Sequence, residues 1–237
     1  MARFLDGGWL PLIQYRHAKP PRQVSLAWWG TSGEGPGTRV QTTAEDDSRL
    51  VALSRQGDLE AFNSLVQIYQ RAAYNLCLRL LGSPQAAEDA TQEAFFSAFR
   101  HIGDFRGGSF RSWLLRIAAN AAKDELRRRG RRPQVPLELG PGEEGPAPLV
   151  PYPSPGPEAV ALRREVARQV QAGLLTLPAD QRLAVVLSDV QGLSYEEVAQ
   201  ATGASLGTVK SRISRGRERL RGYLSERGTF GSGAASF

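Results

Sequence analysis

Between Gln134 and Pro157 the chain reads QVPLELGPGEEGPAPLVPYPSPGP, with eight prolines and four glycines in 24 residues. Proline lacks the N–H that a helix interior or a central strand needs, so neither can run through this segment. The chain must fold on either side of it, as two halves joined by a linker. The segment carries Glu138, Glu143 and Glu144 and no base. Extended, it spans at most about 80 Å.

Charge divides each half again. Residues 48–99 carry 4 bases and 5 acids, whereas residues 100–132 carry 10 and 3. Residues 158–204 carry 4 and 6, whereas residues 205–227 carry 7 and 2. Each half therefore passes from near neutrality to a strongly basic end, where a merely solvated surface would mix the signs. With a net charge of +6 and a pI of about 9.9, the chain is suited to a polyanionic partner. Only Lys19, Lys123 and Lys210 among its 30 basic residues are lysines. Cys77 is the only cysteine, which excludes a disulfide framework and a cysteine metal site. His17 and His101 have no ligand-like spacing. No apolar run has the length of a membrane span, and no signal peptide is evident. We expect a cytoplasmic protein with no membrane insertion, no metal and no cofactor.

The C-terminal half resolves into a helix-turn-helix. Leu183, Val186, Leu187 and Val190 mark an amphipathic helix that Gly192 stops. In LSYEEVAQATG, Ser194 and Glu197 form a capping box and Leu193 with Val198 a hydrophobic staple. Gly203 ends that helix, and Gly203, Ala204 and Ser205 lead into another running from Leu206 to Leu220. Val209, Ile213, Gly216 and Leu220 make its buried stripe. Gly207, Thr208, Lys210, Ser211, Ser214 and Arg215 are left to face outward, with a chemistry suited to a major groove. Arg217, Arg219 and Arg221 are expected to serve phosphates or solvent. The plain alternative is a solvated basic helix in a bundle.

The N-terminal half ends in SFRSWLLRIAANAAKDELRRRGRR, a helix from about Ser109. Arg116, Asn120, Lys123 and Arg127 form a polar stripe between Phe110, Trp113 and Ile117 on one side and Leu115, Ala119 and Leu126 on the other. Before it, Phe105, Arg106, Gly107, Gly108, Ser109 and Phe110 form a Gly-rich loop between aromatic residues. Such a loop suits an unstacked base, and equally an interhelical turn with core aromatics. Glu88, Asp89, Gln92 and Glu93 follow Ser83–Pro84, and the first two would favour a helix dipole there. A nuclease metal site at these acids lacks any supporting histidine or carboxylate.

Over residues 49–227 the sequence resembles bacterial RNA polymerase sigma factors of the extracytoplasmic-function (ECF) group. GDLEAFNSLVQIYQRAAYNLCLRLLGSPQAAEDATQEAFFSAFRHIGDFRGGSFRSWLLRIAANAAKDELRRRGRR is similar to their region-2 domain, and LPADQRLAVVLSDVQGLSYEEVAQATGASLGTVKSRISRGRERL to their region-4 domain. The linker leaves no room for a region-3 domain. The resemblance implies an all-α protein that is not an enzyme. It implies a region-2 domain over 45–133 and a region-4 domain over 158–227 on either side of the flexible acidic linker over 134–157, while residues 1–44 and 228–237, outside the resemblance, are expected to be disordered. It implies that Ser205, Thr208, Lys210, Ser211, Ser214 and Arg215 meet the −35 duplex. Phe105, Arg106, Ser109, Phe110, Trp113, Arg116, Asn120, Lys123 and Arg127 would meet the melted −10 strand. Glu88, Asp89, Gln92 and Glu93 would dock on the clamp helices of the largest subunit of core RNA polymerase. The flap of the second subunit and an anti-sigma factor are further implied partners.

Residues 1–44 depart from this pattern. Trp9, Trp28 and Trp29 lie there amid Gly and Pro, either as a partner-binding extension or as an over-extended start of translation. Two other functions fit parts of the chain: an autonomous helix-turn-helix regulator that dimerises on a palindrome, and an adaptor that uses the fold without reading DNA. The first leaves the second basic end unexplained, and the second does not need so complete a recognition helix.

Overall fold

A computed structural model describes residues 44–131 and 157–227 of the chain. Eight α-helices and no strand occur among the described residues: α1 (Ala44–Arg55), α2 (Leu59–Leu81), α3 (Pro84–Arg100), α4 (Phe110–Arg131), α5 (Pro157–Thr176), α6 (Ala179–Val185), α7 (Tyr195–Thr202) and α8 (Leu206–Glu226). The expected all-α class is what the chain adopts. The extension, linker and tail fall outside the described residues, except for Ala44 and Pro157, which open α1 and α5. Proline is tolerated there because the first turn of a helix has no use for its missing N–H.

By their contacts the residues form two compact units. The first comprises the chain up to Tyr69 together with Phe96–Phe110. Asp58 starts α2 by accepting hydrogen bonds from the N–H groups of Glu60 and Ala61 at 3.0 and 3.1 Å. Its core is aromatic: Phe62 meets Phe99 edge-on with centroids 5.0 Å apart, and Tyr69 and Phe105 each pack on Phe110 at 5.5 and 5.9 Å. The Tyr69 hydroxyl donates to Asp47 of α1. Arg55 of α1 reaches the Gly103 carbonyl in a short 3₁₀ turn, Ile102–Asp104, at 3.4 Å.

The second unit holds Gln70–Phe95 and everything described from Arg111 onward. Small residues set its close packing. Ala87, Ala90 and Ala94 of α3 and Ala118, Ala119 and Ala122 of α4 are buried. A Cβ on Gly173 of α5 would lie 2.6 Å from Leu220 of α8, and one on Gly216 of α8 would lie 2.6 Å from Val185 of α6. Cys77 is buried, and its thiol pKa is pushed up to about 12 by loss of solvent.

Three local expectations change. The helix after the Gly-rich loop begins at Phe110, not Ser109, and α8 runs on to Glu226, burying Leu224 beyond the half-buried Leu220. The helix read from Leu183 to Val190 ends as α at Val185 and continues as a π turn, Val186–Val190. A π turn holds more residues than an α turn, so the 3.6-residue stripe loses register and Val190 emerges 47% exposed.

Candidate nucleic-acid interface

In the second unit, α7 and α8 form the expected helix-turn-helix. The Ser194 hydroxyl accepts from Glu197 N–H at 3.2 Å, and the Glu197 carboxylate accepts from Ser194 N–H at 2.9 Å. Gly203 ends α7 in the left-handed conformation, at φ +67°, where a Cβ would be strained. Ser205 then caps α8: its hydroxyl accepts from Thr208 N–H at 3.2 Å and lies 2.8 Å from the Thr208 hydroxyl. These two side chains are thus engaged in starting the helix. Ser211 donates to the Thr208 carbonyl at 2.9 Å.

Val209, Ile213 and Gly216 are buried, so the opposite face of α8 is open. Gly207, Lys210, Ser211, Ser214 and Arg215 are exposed and recur at helical spacing along it. The remaining bases of α8 divide into two sets. Arg212 is held by Asp180 at 2.7 Å. Arg217 makes a two-pronged pair with Asp189, at 2.9 and 2.6 Å, and that carboxylate strengthens its hold on its proton. Arg217, expected to serve phosphates or solvent, is thus engaged by a carboxylate in the free chain. Lys210, Arg215, Arg219 and Arg221 are exposed and pair with no carboxylate among the described residues.

On α4, in the same unit, Arg116, Asn120 and Arg127 are exposed and Lys123 half-buried, as the stripe requires. Arg127 pairs with Asp124 at 3.1 Å, an exposed contact that competes weakly with solvent. Trp113 is half-buried beside the stripe. On α3, Asp89 and Glu93 are exposed, and Glu88 and Gln92 half-buried. The helix starts at Pro84, so its first turn holds no acid. Glu88 and Asp89 lie one turn too far along for the dipole role.

The Gly-rich loop belongs to the first unit. Phe105 and Phe110 are 8% and 1% exposed and pack on one another, so their rings brace the loop from below. The outer surface consists of Arg106, Gly107, Gly108 and Ser109, all exposed. Gly107 and Gly108 take φ of +95° and +87° with open space where a Cβ would stand. A cleft of about 180 Å³ opens beside them, lined by Ser48, Val51, Ala52, Arg55 and Phe105 as well as the two glycines. The contribution of α1 to this cleft has no counterpart in the sequence pattern, because roughly fifty residues separate Arg55 from Gly107.

The model of Sigma-70 region 2 matches residues 65–132, and that of Sigma-70 region 4 matches residues 167–220. The chain is 38% identical over 216 residues to the ECF RNA polymerase sigma factor SigE of Mycolicibacterium smegmatis, covering 89% of this chain and 78% of that one. It belongs to the ECF sigma factors. It is also 42% identical over 182 residues to the RNA polymerase sigma-H factor of Pseudomonas aeruginosa, over 75% of this chain and 93% of the relative. Among solved structures, the sigma factor RpoE of Bartonella quintana, determined with the anti-sigma factor NepR, matches 69% of this chain and 96% of its own. The TM-score is 0.54 at 28% identity. As a sigma factor the chain directs core RNA polymerase to promoters, and its relatives are not enzymes. No helix among the described residues is long and apolar enough to cross a membrane.

Proposed function

We propose that this sigma factor reads the −35 duplex through Lys210, Ser211, Ser214 and Arg215 of α8, with Ser205 and Thr208 setting the entry of that helix into the groove. The observation that carries this reading is the sorting of the α8 bases. Arg212 and Arg217 are tied to carboxylates, while Lys210 and Arg215 stand exposed on the face opposite Val209 and Ile213. The melted −10 strand is assigned to Arg106 and Ser109 of the loop, braced by Phe105 and Phe110, and to Trp113, Arg116, Asn120, Lys123 and Arg127 of α4. Exposed glycines let a base approach the loop backbone closely.

In this reading residues 45–133 are the polymerase- and −10-binding domain, and 158–227 the −35-binding domain. Residues 134–157 are a tether, and 1–44 and 228–237 lie beyond the domains. Glu88, Asp89, Gln92 and Glu93 dock on the clamp helices of core polymerase, and the C-terminal domain sits at the flap. An anti-sigma factor holds the protein inactive in the cytoplasm, in keeping with the NepR-bound relative.

Promoter binding by the reconstituted holoenzyme tests the groove assignment. Lys210→Ala and Arg215→Ala should each weaken −35 recognition by about 1–3 kcal/mol. Unchanged preference at that element in both would remove α8 from the groove. Asn120→Ala should lower abortive synthesis on duplex promoter and recover in part on a template already mismatched at −10. Equal activity to the parent on both templates would return Asn120 to a structural role. Promoter binding by a dimer of the free chain, without core enzyme, would favour an autonomous regulator instead.

A further inference from the structure

In the first unit, α1 has two working faces. Asp47, Val51 and Ser54 recur at i, i+4 and i+7 and turn inward: Val51 and Ser54 are buried, and the Asp47 carboxylate accepts from the Tyr69 hydroxyl of α2. Ser48, Val51, Ala52 and Arg55 recur at i, i+3, i+4 and i+7 and line the cleft beside the Gly-rich loop. Little apolar burial holds this helix. Of residues 47–55 only Val51 is a buried hydrophobic side chain, and the Ser54 hydroxyl bonds within the helix, to the Leu50 carbonyl at 2.7 Å. Placement of α1 therefore depends on its polar ties. Arg55 donates to the Gly103 carbonyl near one end, at an exposed and weak 3.4 Å. The Asp47–Tyr69 bond lies eight residues away, about 12 Å along the axis, and is the stronger because a carboxylate accepts it.

Tyr69 bears on both walls of the cleft at once. Its hydroxyl holds α1, and its ring packs on Phe110 at 5.5 Å, which in turn packs on Phe105 of the opposite wall at 5.9 Å. Gly107 and Gly108 offer that wall backbone alone, with open space where a Cβ would stand. The side chains that face them across the cleft come from α1. The other Asp47 oxygen, Oδ1, is buried and has no hydrogen-bond partner among the described residues. The Tyr69 hydroxyl is therefore what keeps this carboxylate in place. Without it neither oxygen has a donor, and a carboxylate so placed turns toward water and draws the start of α1 with it.

We infer that Asp47 and Tyr69 are positioning residues for capture of the melted −10 strand: their hydrogen bond sets the distance between α1 and the Gly-rich loop, and so the width of the cleft that an unstacked base enters. The inference rests on the assignment of the loop to that strand. Neither residue lines the cleft, so both act through its walls. Their removal weakens binding only where a base occupies the cleft, and leaves contacts to the sugar–phosphate backbone unchanged.

The test uses holoenzyme reconstituted from the full chain and core enzyme. The probe is a fluorescent single strand carrying the −10 element, either intact or with an abasic nucleotide at each position in turn. The parent should lose affinity most at one abasic position, the one whose base enters the cleft. Tyr69→Phe keeps the ring and loses the hydroxyl. It should bind the intact strand about fivefold more weakly, and match the parent on the strand abasic at that position. Asp47→Ala should behave in the same way, and the double variant should lose no more than either single one. Asp47→Asn keeps an oxygen that can accept from Tyr69, so its binding should stay within about twofold of the parent. Urea unfolding of each free variant reports whether it is folded, and Asp47→Ala carries the test if Tyr69→Phe is not. Equal losses on intact and abasic strands would overturn the positioning role, and so would parental binding by both Tyr69→Phe and Asp47→Ala. A parent indifferent to every abasic position would overturn the loop assignment and this inference with it. A parent sensitive at one position, with unaffected variants, would overturn the inference alone.

Discussion

Gly216 is a position where one absent methyl group sets the crossing of two helices. A Cβ there would lie 2.6 Å from Val185 Cγ2 and 3.4 Å from the Gln181 carbonyl, and Val185 is itself buried. Gly216→Ala should therefore destabilise the fold by about 1–3 kcal/mol, despite the better helix propensity of alanine. Urea unfolding checks this, and a stability equal to or above the parent would show that α6 can give way. Glu197 offers a second residue-scale prediction. The Ser112 hydroxyl, the Ser194 backbone N–H and the nearby Arg111 charge hold its carboxyl below the usual carboxylate range, against the opposing effect of burial. A lowered folded value means stability that is present at neutral pH and lost as pH falls below the ordinary value of 4.5 and through the folded one. Thermal melting of the parent should exceed that of Glu197→Gln at pH 7, with the gap closing toward acid. Parallel curves would show that the charge contributes nothing.

At the scale of the element, α8 separates two uses of arginine. Arg217 is anchored by Asp189 of the π turn, and Arg212 by Asp180 at the start of α6, so both fix the helix to its neighbours. Arg219 and Arg221 have no such anchor among the described residues. Removing a phosphate-contacting base should lower the slope of log affinity against log salt by about 1. Arg217→Ala should leave that slope unchanged while lowering the melting temperature of the protein, and Arg219→Ala should show the reverse pattern if it meets phosphate. Holoenzyme binding to a promoter at a series of salt concentrations distinguishes them, and a reduced slope for Arg217→Ala would mean that the pair with Asp189 opens on DNA.

For the whole molecule, Arg182 is a single side chain on which three helices depend. Its guanidinium donates to the carbonyls of Leu80, Leu175 and Leu177, which gather near the ends of α2 and α5. No carboxylate among the described residues pairs with it, and burial lowers its pKa from the usual arginine value, although the group stays charged. Carbonyls left buried without a donor cost about 1–3 kcal/mol each. Arg182→Ala should therefore lower the stability of the chain by about 3 kcal/mol and increase the separation of the two regions. Calorimetry should show the single transition of the parent moving down or dividing in two. A melting temperature within a degree of the parent would show that water replaces the guanidinium at no cost.

Much of this protein is legible along the chain because much of it is local. The Ser194–Glu197 box, the left-handed Gly203 and the stripe of Val209, Ile213 and Gly216 depend on residues a few positions apart, so helical periodicity and capping chemistry determine them. The exposed faces of Lys210, Arg215, Arg116 and Asn120 follow from the same periodicity. Tertiary structure decided the rest. That Phe105 and Phe110 turn inward depends on Tyr69 being there to receive a ring. That Val190 leaves the apolar face depends on a π turn, which no side-chain period announces. That Arg217 is paired with a carboxylate in the free chain depends on Asp189, 28 residues earlier. Sequence alone determined which surfaces could be basic and open, because spacing along a helix is fixed by its geometry. Which basic groups remain open was settled only when distant carboxylates and carbonyls were brought within hydrogen-bonding distance.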